Sequence, residues 1–224
     1  MKRKLVRGVL LAAASYLVIG SAAADPVSWT DWTRISGTSA SGDMAGMTVT
    51  VTATSGVMNG PSQTACGTNW WTQPDPSNPA YTGGSVSNAP TACEQVGLDS
   101  PVSITVEFSS PVSNLYMALL SIGRSGLEVT YDFDTAFTVD SEGRGFWGDG
   151  TYVLGANDTI AMRELHGVLS FAGPVSTLSF STTPSEYWHA FTFGIGERSV
   201  PEPGTLALLG LGLVGIAAMR RRRS

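Results

Sequence analysis

Between residues 25 and 200, apolar and polar positions alternate in short runs with a period of two, the pattern of strands that bury one face. MTVTVTA at 47–53 puts Met47, Val49, Val51 and Ala53 on one side and threonines on the other. VSITVEF at 102–108 turns Val102, Ile104, Val106 and Phe108 inward. LEVTYDFD at 127–134 does the same with Leu127, Val129, Tyr131 and Phe133, and leaves Asp132 and Asp134 on a solvated face. STLSFST at 176–182 offers Leu178 and Phe180, and YWHAFTFGI sets Tyr187, His189, Phe191 and Phe193 against Trp188, Ala190 and Thr192. LYMALLS, from Leu115, is apolar at nearly every position, which predicts a central strand or one covered on both faces. TIAMREL at 159–165 fits a brief helix or a strand. Turn clusters separate the runs: SIGRSG, DSEGRGFWGDG, LGANDT and FAGP. The pattern predicts an all-β body, an antiparallel β-sandwich of jelly-roll type.

An internal echo supports that architecture. VEFSSPVSNL at 106–115 and LSFAGPVSTL at 169–178 share the frame Phe-x-x-Pro-Val-Ser-x-Leu. Proline fixes φ and cannot join a hydrogen-bonded ladder, so each copy is expected to be a hairpin whose turn uses the proline.

Charge changes the picture at the ends. The chain of 224 residues has a formal net charge of −5, yet eight of its 13 basic residues lie in two short terminal clusters. Residues 25–200 keep five arginines and no lysine against 17 acidic residues. So acidic a body repels nucleic-acid backbones and anionic lipid, which excludes nucleic acid as a partner class. At the start, MKRKLVR is a basic segment, GVLLAAASYLVIG an apolar one, and SAAADP a small-residue cleavage site. Residues 1–24 are therefore expected to be a signal peptide, its apolar part helical, cleaved after Ala24.

Export to an oxidising compartment makes the two cysteines interpretable. Cys66 and Cys93 are the only pair and are expected to form a disulfide. It would close a loop of about 28 residues, worth roughly 3.6 kcal/mol by chain entropy. The enclosed stretch is rich in Pro, Gly and Asn, so regular structure cannot stabilise it and a covalent staple can.

The last 25 residues hold three parts in order: Pro201-Glu202-Pro203, an apolar run from Gly204 to Met219, and Arg220 to Arg223. A helix of that run would span about 24 Å against a hydrocarbon core of about 30 Å, a short transmembrane helix. The arginines orient it with the tail inside and the folded body outside. The prolines hold an extended segment at the outer face, a shape a protease cleft accepts. Residues 200–224 resemble the PEP-CTERM sorting signal of Gram-negative bacteria. That resemblance implies recognition by an exosortase, a membrane protease or transpeptidase. It also implies cleavage near Pro201, Glu202 and Pro203, transient residence in the inner membrane, and delivery to the cell surface or exopolysaccharide matrix. The chain thus divides into a signal peptide at 1–24, a secreted β-sandwich at 25–199 and a sorting signal at 200–224.

The body offers three kinds of candidate chemistry. Trp70 and Trp71 in the stapled loop, with Trp147 in a Gly-rich loop, are candidate sugar-stacking rings, provided two of them are exposed and coplanar. Asp140, Glu142 and Asp149 in DSEGRGFWGDG are candidate calcium ligands, though the spacing matches no EF-hand. No other cofactor is expected. His166 near Glu164, and His189 near Glu186, are the only histidine–acid pairs. No nucleophile elbow and no zinc-protease motif accompanies them, so no catalytic residue is assigned and no enzyme activity is expected. The expected role is structural or adhesive within exopolysaccharide. A carbohydrate-binding module is the first alternative and a polysaccharide hydrolase the second.

Overall fold

A computed structural model describes Ala24, residues 26–55, Met58, Thr64 and residues 66–197. The signal peptide and the sorting tail, including both expected helices, lie outside the described residues. Every named element among the described residues is a β-strand, and every strand pairing is antiparallel.

Two sheets make up the body. The larger has eight strands: β2 (Asp31–Ser36), β3 (Ser39–Met44), β4 (Met47–Ala53), β6 (Val102–Val112), β8 (Val129–Phe133), β10 (Thr151–Leu154), β11 (Thr159–Arg163) and β13 (Val175–Thr183). Its order is β10-β11-β8-β13-β6-β4-β3-β2. The smaller has β1 (Val27–Trp29), β5 (Val96–Leu98), β7 (Leu115–Ile122), β9 (Phe137–Glu142), β12 (Leu165–Phe171) and β14 (His189–Gly196). It runs β1-β14-β7-β12-β9, with β5 also on β14. Outside β2-β3-β4 and the β10–β11 hairpin, every connection carries the chain from one sheet to the other.

The core lies between the sheets. Val49 and Val51 from β4, Ile104 and Val106 from β6, and Tyr131 from β8 meet Leu119, Leu169, Phe191 and Phe193 from the smaller sheet. Aromatic edges close the seam: Phe180 meets Phe191 at 5.7 Å and Phe108 meets Phe193 at 6.1 Å. The period-two runs at 47–53 and 102–108 bury the faces expected of them. TIAMREL is strand up to Arg163. One residue, Glu164 at φ 51°, then turns the chain from β11 in the larger sheet to β12 in the smaller.

Two expectations are corrected. Tyr187 does not point inward: β14 starts at His189 and Tyr187 is 87% exposed. The two echo segments are not hairpins. β6 and β7 lie in different sheets, as do β12 and β13, so each copy is a corner between sheets. The copies lie side by side, because β12 pairs with β7 and β13 with β6, with Phe171 opposite Leu115 and Val175 opposite Val112. A shared sequence frame therefore marks two adjacent corners, which explains why Pro111 falls within a strand rather than at a hairpin tip.

The smaller sheet is buried on both faces. All eight residues of β7 are buried, as the LYMALLS run predicts. A second core forms on the outer face, where Trp71, Ala80, Tyr81 and Val86 pack on Tyr116, Ala118, Leu120, Val168 and Ala190. The covering residues all come from the segment closed by the Cys66–Cys93 disulfide. Polar contacts pin the cover at intervals. The Ser141 hydroxyl donates to the Ala80 carbonyl at 2.9 Å, and the Tyr116 hydroxyl to Ser85 Oγ at 3.0 Å. Asn88 closes the far end: its Oδ1 accepts from Val27 N–H at 2.6 Å and its Nδ2 donates to the Val27 carbonyl at 2.9 Å. Cys66→Ser or Cys93→Ser is expected to lower the unfolding free energy by roughly 3–4 kcal/mol. Urea unfolding of the two variants beside the oxidised parent measures it, and a loss under about 1 kcal/mol would contradict the staple's role.

Candidate functional site

The chemistry-bearing side chains gather where the cover meets β12 and the Gly-rich loop at 143–150. His166 sits in β12 opposite a bulge in β7, where the β7–β12 register shifts between Leu165 and Gly167. The extra residue in β7 is Ser121, at φ 55°. Left-handed φ is uncommon for residues other than glycine, so Ser121 and Glu164 are both strained. They are tied together, the Ser121 hydroxyl donating to Glu164 Oε1 at 2.5 Å. The pairing fixes two corners of the chain on either side of His166.

His166 is fully buried. Its Nδ1 lies 2.7 Å from the Tyr81 hydroxyl of the cover. Its Nε2 is 3.9 Å from Glu164 Oε1 and has no hydrogen-bond partner. Burial pushes its pKa down to about 4, because the charged imidazolium would lose its water. Burial likewise pushes the Tyr81 phenol well above its ordinary range. The ring lies nearly parallel to Trp147, 6.2 Å away at 11°. Gly145 makes that approach possible, since a Cβ there would strike the imidazole.

Trp147 is the hub of an aromatic cluster. Trp70 stacks on it at 5.0 Å and 19°, Phe146 meets it edge-on at 4.8 Å, and Trp188 does so at 5.2 Å. Trp147 and Phe146 remain 42% and 46% exposed. The structure thus brings Trp70 and Trp147 together face to face, not side by side in one plane. Trp71 turns the other way and is buried against Tyr81 at 5.2 Å, so its candidacy as a sugar contact is corrected: it has no ring face in solvent. Trp188, Phe146 and His166 join the cluster without a signal in spacing.

The candidate calcium ligands are not brought together. Asp140 Oδ2 accepts from the Ser85 N–H and hydroxyl at 3.1 and 2.8 Å. Asp149 accepts from Asn78 Nδ2 at 3.2 and 3.3 Å. Asp140 thereby fastens the cover to the edge strand β9, and Asp149 fastens it to the Gly-rich loop. Glu142 ends β9, exposed. Among the described residues no group of three or more metal-ligating side chains assembles.

The second histidine–acid pair lies elsewhere. Glu186 is buried, and its Oε2 accepts from the Gly123 N–H at 2.8 Å and faces His189 Nδ1 at 3.1 Å. Tyr131 packs against the His189 ring at 5.7 Å, and burial, reinforced by the Glu186 charge, raises its phenol well above the ordinary range.

The remaining candidates, Pro201, Glu202 and Pro203, lie outside the described residues, and there the comparison with known families decides. Residues 199–223 match the family model of the PEP-CTERM protein-sorting motif. The chain carries a PEP-CTERM sorting motif. The motif implies an exported, surface-directed protein whose processing partner is an exosortase. No curated protein and no solved structure matches the chain. The PEP-CTERM match covers the tail alone and begins two residues after Glu197, where the described body ends.

His166 gives this site a pH signature. The unfolded chain takes up a proton near the ordinary value of 6.5 and the folded chain only near 4. Between those values the unfolded state binds more protons, so stability is complete above pH 6.5 and falls as pH drops towards 4, by about 3 kcal/mol. His166→Gln is expected to flatten that part of the profile. Urea midpoints between pH 4 and 7.5 test it, and an unchanged slope would contradict it.

Proposed function

We propose that the protein is a structural or adhesive component of the cell surface or exopolysaccharide matrix of a Gram-negative bacterium. In this reading a signal peptide at 1–24 exports it, the tail at 200–224 holds it briefly in the inner membrane, and an exosortase cuts near Pro201-Glu202-Pro203. The observation that carries the reading is the sorting motif at 199–223, set directly behind a folded β body. The make-up of the body supports it. The disulfide suits an oxidising compartment, and the acidic surface is compatible with neutral polymers. A non-catalytic role is part of the proposal. Both histidines are buried and engaged with Tyr81 and Glu186, which suits packing better than proton transfer to a substrate.

Mass spectrometry of the protein recovered from culture medium and envelope fractions tests the reading. The expected product starts after Ala24 and lacks the four terminal arginines. Replacing Pro201, Glu202 and Pro203 by alanine is expected to leave the full tail in the inner-membrane fraction. An extracellular product that keeps its arginines overturns the proposal.

A further inference from the structure

At another place on the surface, three loops converge on a cleft of about 340 Å³ lined by Asp99, Ser100, Arg124, Ser185, Glu186 and Tyr187. Its size falls in the range of small-ligand pockets, about 300–1,000 Å³. The wall is ordered from within. Ser100 Oγ donates to Asp99 Oδ1 at 3.0 Å, and Ser185 Oγ to the Asp99 carbonyl at 3.3 Å. Glu186 is held by the Gly123 N–H and by His189, so its carboxylate is fixed before any ligand arrives. Tyr187 contributes an aromatic ring that is 87% exposed, with the Arg124 guanidinium over it at 5.5 Å. Among the described residues Arg124 makes no ion pair.

We propose that this cleft binds one sugar residue of a neutral polysaccharide. The inference deepens the matrix reading above by naming the ligand class and the residues that take it. A flat ring left in water at 87% exposure offers a face to the C–H side of a pyranose. The Asp99 carboxylate and the Ser100 and Ser185 hydroxyls accept hydrogen bonds from sugar hydroxyls, the guanidinium donates to hydroxyl and ring oxygens, and the buried Glu186 holds the loop that carries Tyr187. The charges select against other ligands. Asp99 and Glu186 repel an anionic sugar, and Arg124 already occupies the place a cation would take on the Tyr187 ring. An apolar ligand would strip water from the Asp99 carboxylate and the Arg124 guanidinium without replacing its hydrogen bonds. A hydroxyl-rich, uncharged ligand satisfies both signs, and the exposed Tyr187 ring favours one with a flat C–H face. The tryptophan cluster is a separate matter: its rings are stacked on one another, whereas among the described residues Tyr187 meets only Arg124 and is the more exposed at 87%.

The test is retention of the protein, purified from envelope and medium fractions, on immobilised dextran, β-1,3-glucan, mannan and galactan, with alginate as the anionic control. Binding to at least one neutral polymer is expected. Tyr187→Ala is expected to weaken it tenfold or more, and Tyr187→Trp to preserve it. Arg124→Ala is expected to weaken it, and Trp147→Ala to leave it unchanged. Because Tyr187 and Arg124 are exposed, their variants keep the fold, which unchanged urea midpoints verify. Binding to none of the neutral polymers overturns the proposal. So does binding that survives Tyr187→Ala, that follows Trp147→Ala instead, or that is confined to alginate. The two readings fail separately. A correctly cleaved extracellular protein that binds no polymer removes the cleft alone. A protein that binds polymer but stays in the inner membrane with its tail intact removes the export reading alone.

Discussion

The smaller sheet carries apolar side chains on both faces, so it must be covered twice. One cover is the larger sheet. The other is a segment of about thirty residues with almost no ladder hydrogen bonds of its own. Such a segment loses chain entropy on folding without gaining regular structure in return. It is held by a covalent closure, by a few buried rings, and by side-chain hydrogen bonds to the sheet beneath. The disulfide removes entropy from the unfolded chain. Trp71 and Tyr81 supply the apolar contact. Ser141, Tyr116, Asp140, Asp149 and Asn88 supply the polar pins. Without this second layer, Ala118, Leu120 and Val168 would face water.

The same layering places the polar machinery. Tyr81 reaches His166 only because the cover lies across β12. The bulge at Ser121 and the single-residue corner at Glu164 set the two sides of that histidine, and their shared hydrogen bond couples the corners. Trp147 closes over the ring from a loop whose glycine permits the approach. On the other side of the sequence's last turn, Glu186 and His189 fix the loop that presents Tyr187. Two buried polar groups thus stand beside loops that carry exposed rings, His166 under the loop of Trp147 and Glu186 in the loop of Tyr187.

Much of this was legible in the residues. Period-two runs located β4, β6, β8 and β13, because each buries alternate side chains, while β14, whose large residues alternate with Ala190 and Thr192, is buried on both faces. The unbroken apolar run from Leu115 identified the strand covered on both sides. The lone cysteine pair and the Pro/Gly/Asn content between them identified the stapled segment. What escaped was whatever depends on distant partners. The echo at 106–115 and 169–178 has a frame that fits a hairpin or a corner equally well, and only pairing of the two copies separates these. Asp140 and Asp149 look like cation ligands along the chain, yet Ser85 and Asn78, more than fifty positions earlier, take them. Tyr187 continues the alternation of β14 by one step beyond where the strand begins, and it lies in the preceding loop, exposed. The sorting signal was readable because it works as linear sequence, independent of any packing.

The most direct test of the layered account is hydroxyl-radical footprinting of the protein with its disulfide intact and then reduced, with Tyr187 as the exposed reference. Protection of Trp71, Tyr81 and Tyr116 is predicted in the intact protein. On reduction these three should become labelled while Phe108, Phe180 and Phe193 stay protected between the sheets. Labelling of Trp71 and Tyr81 at the rate of Tyr187 in the intact protein would contradict the account.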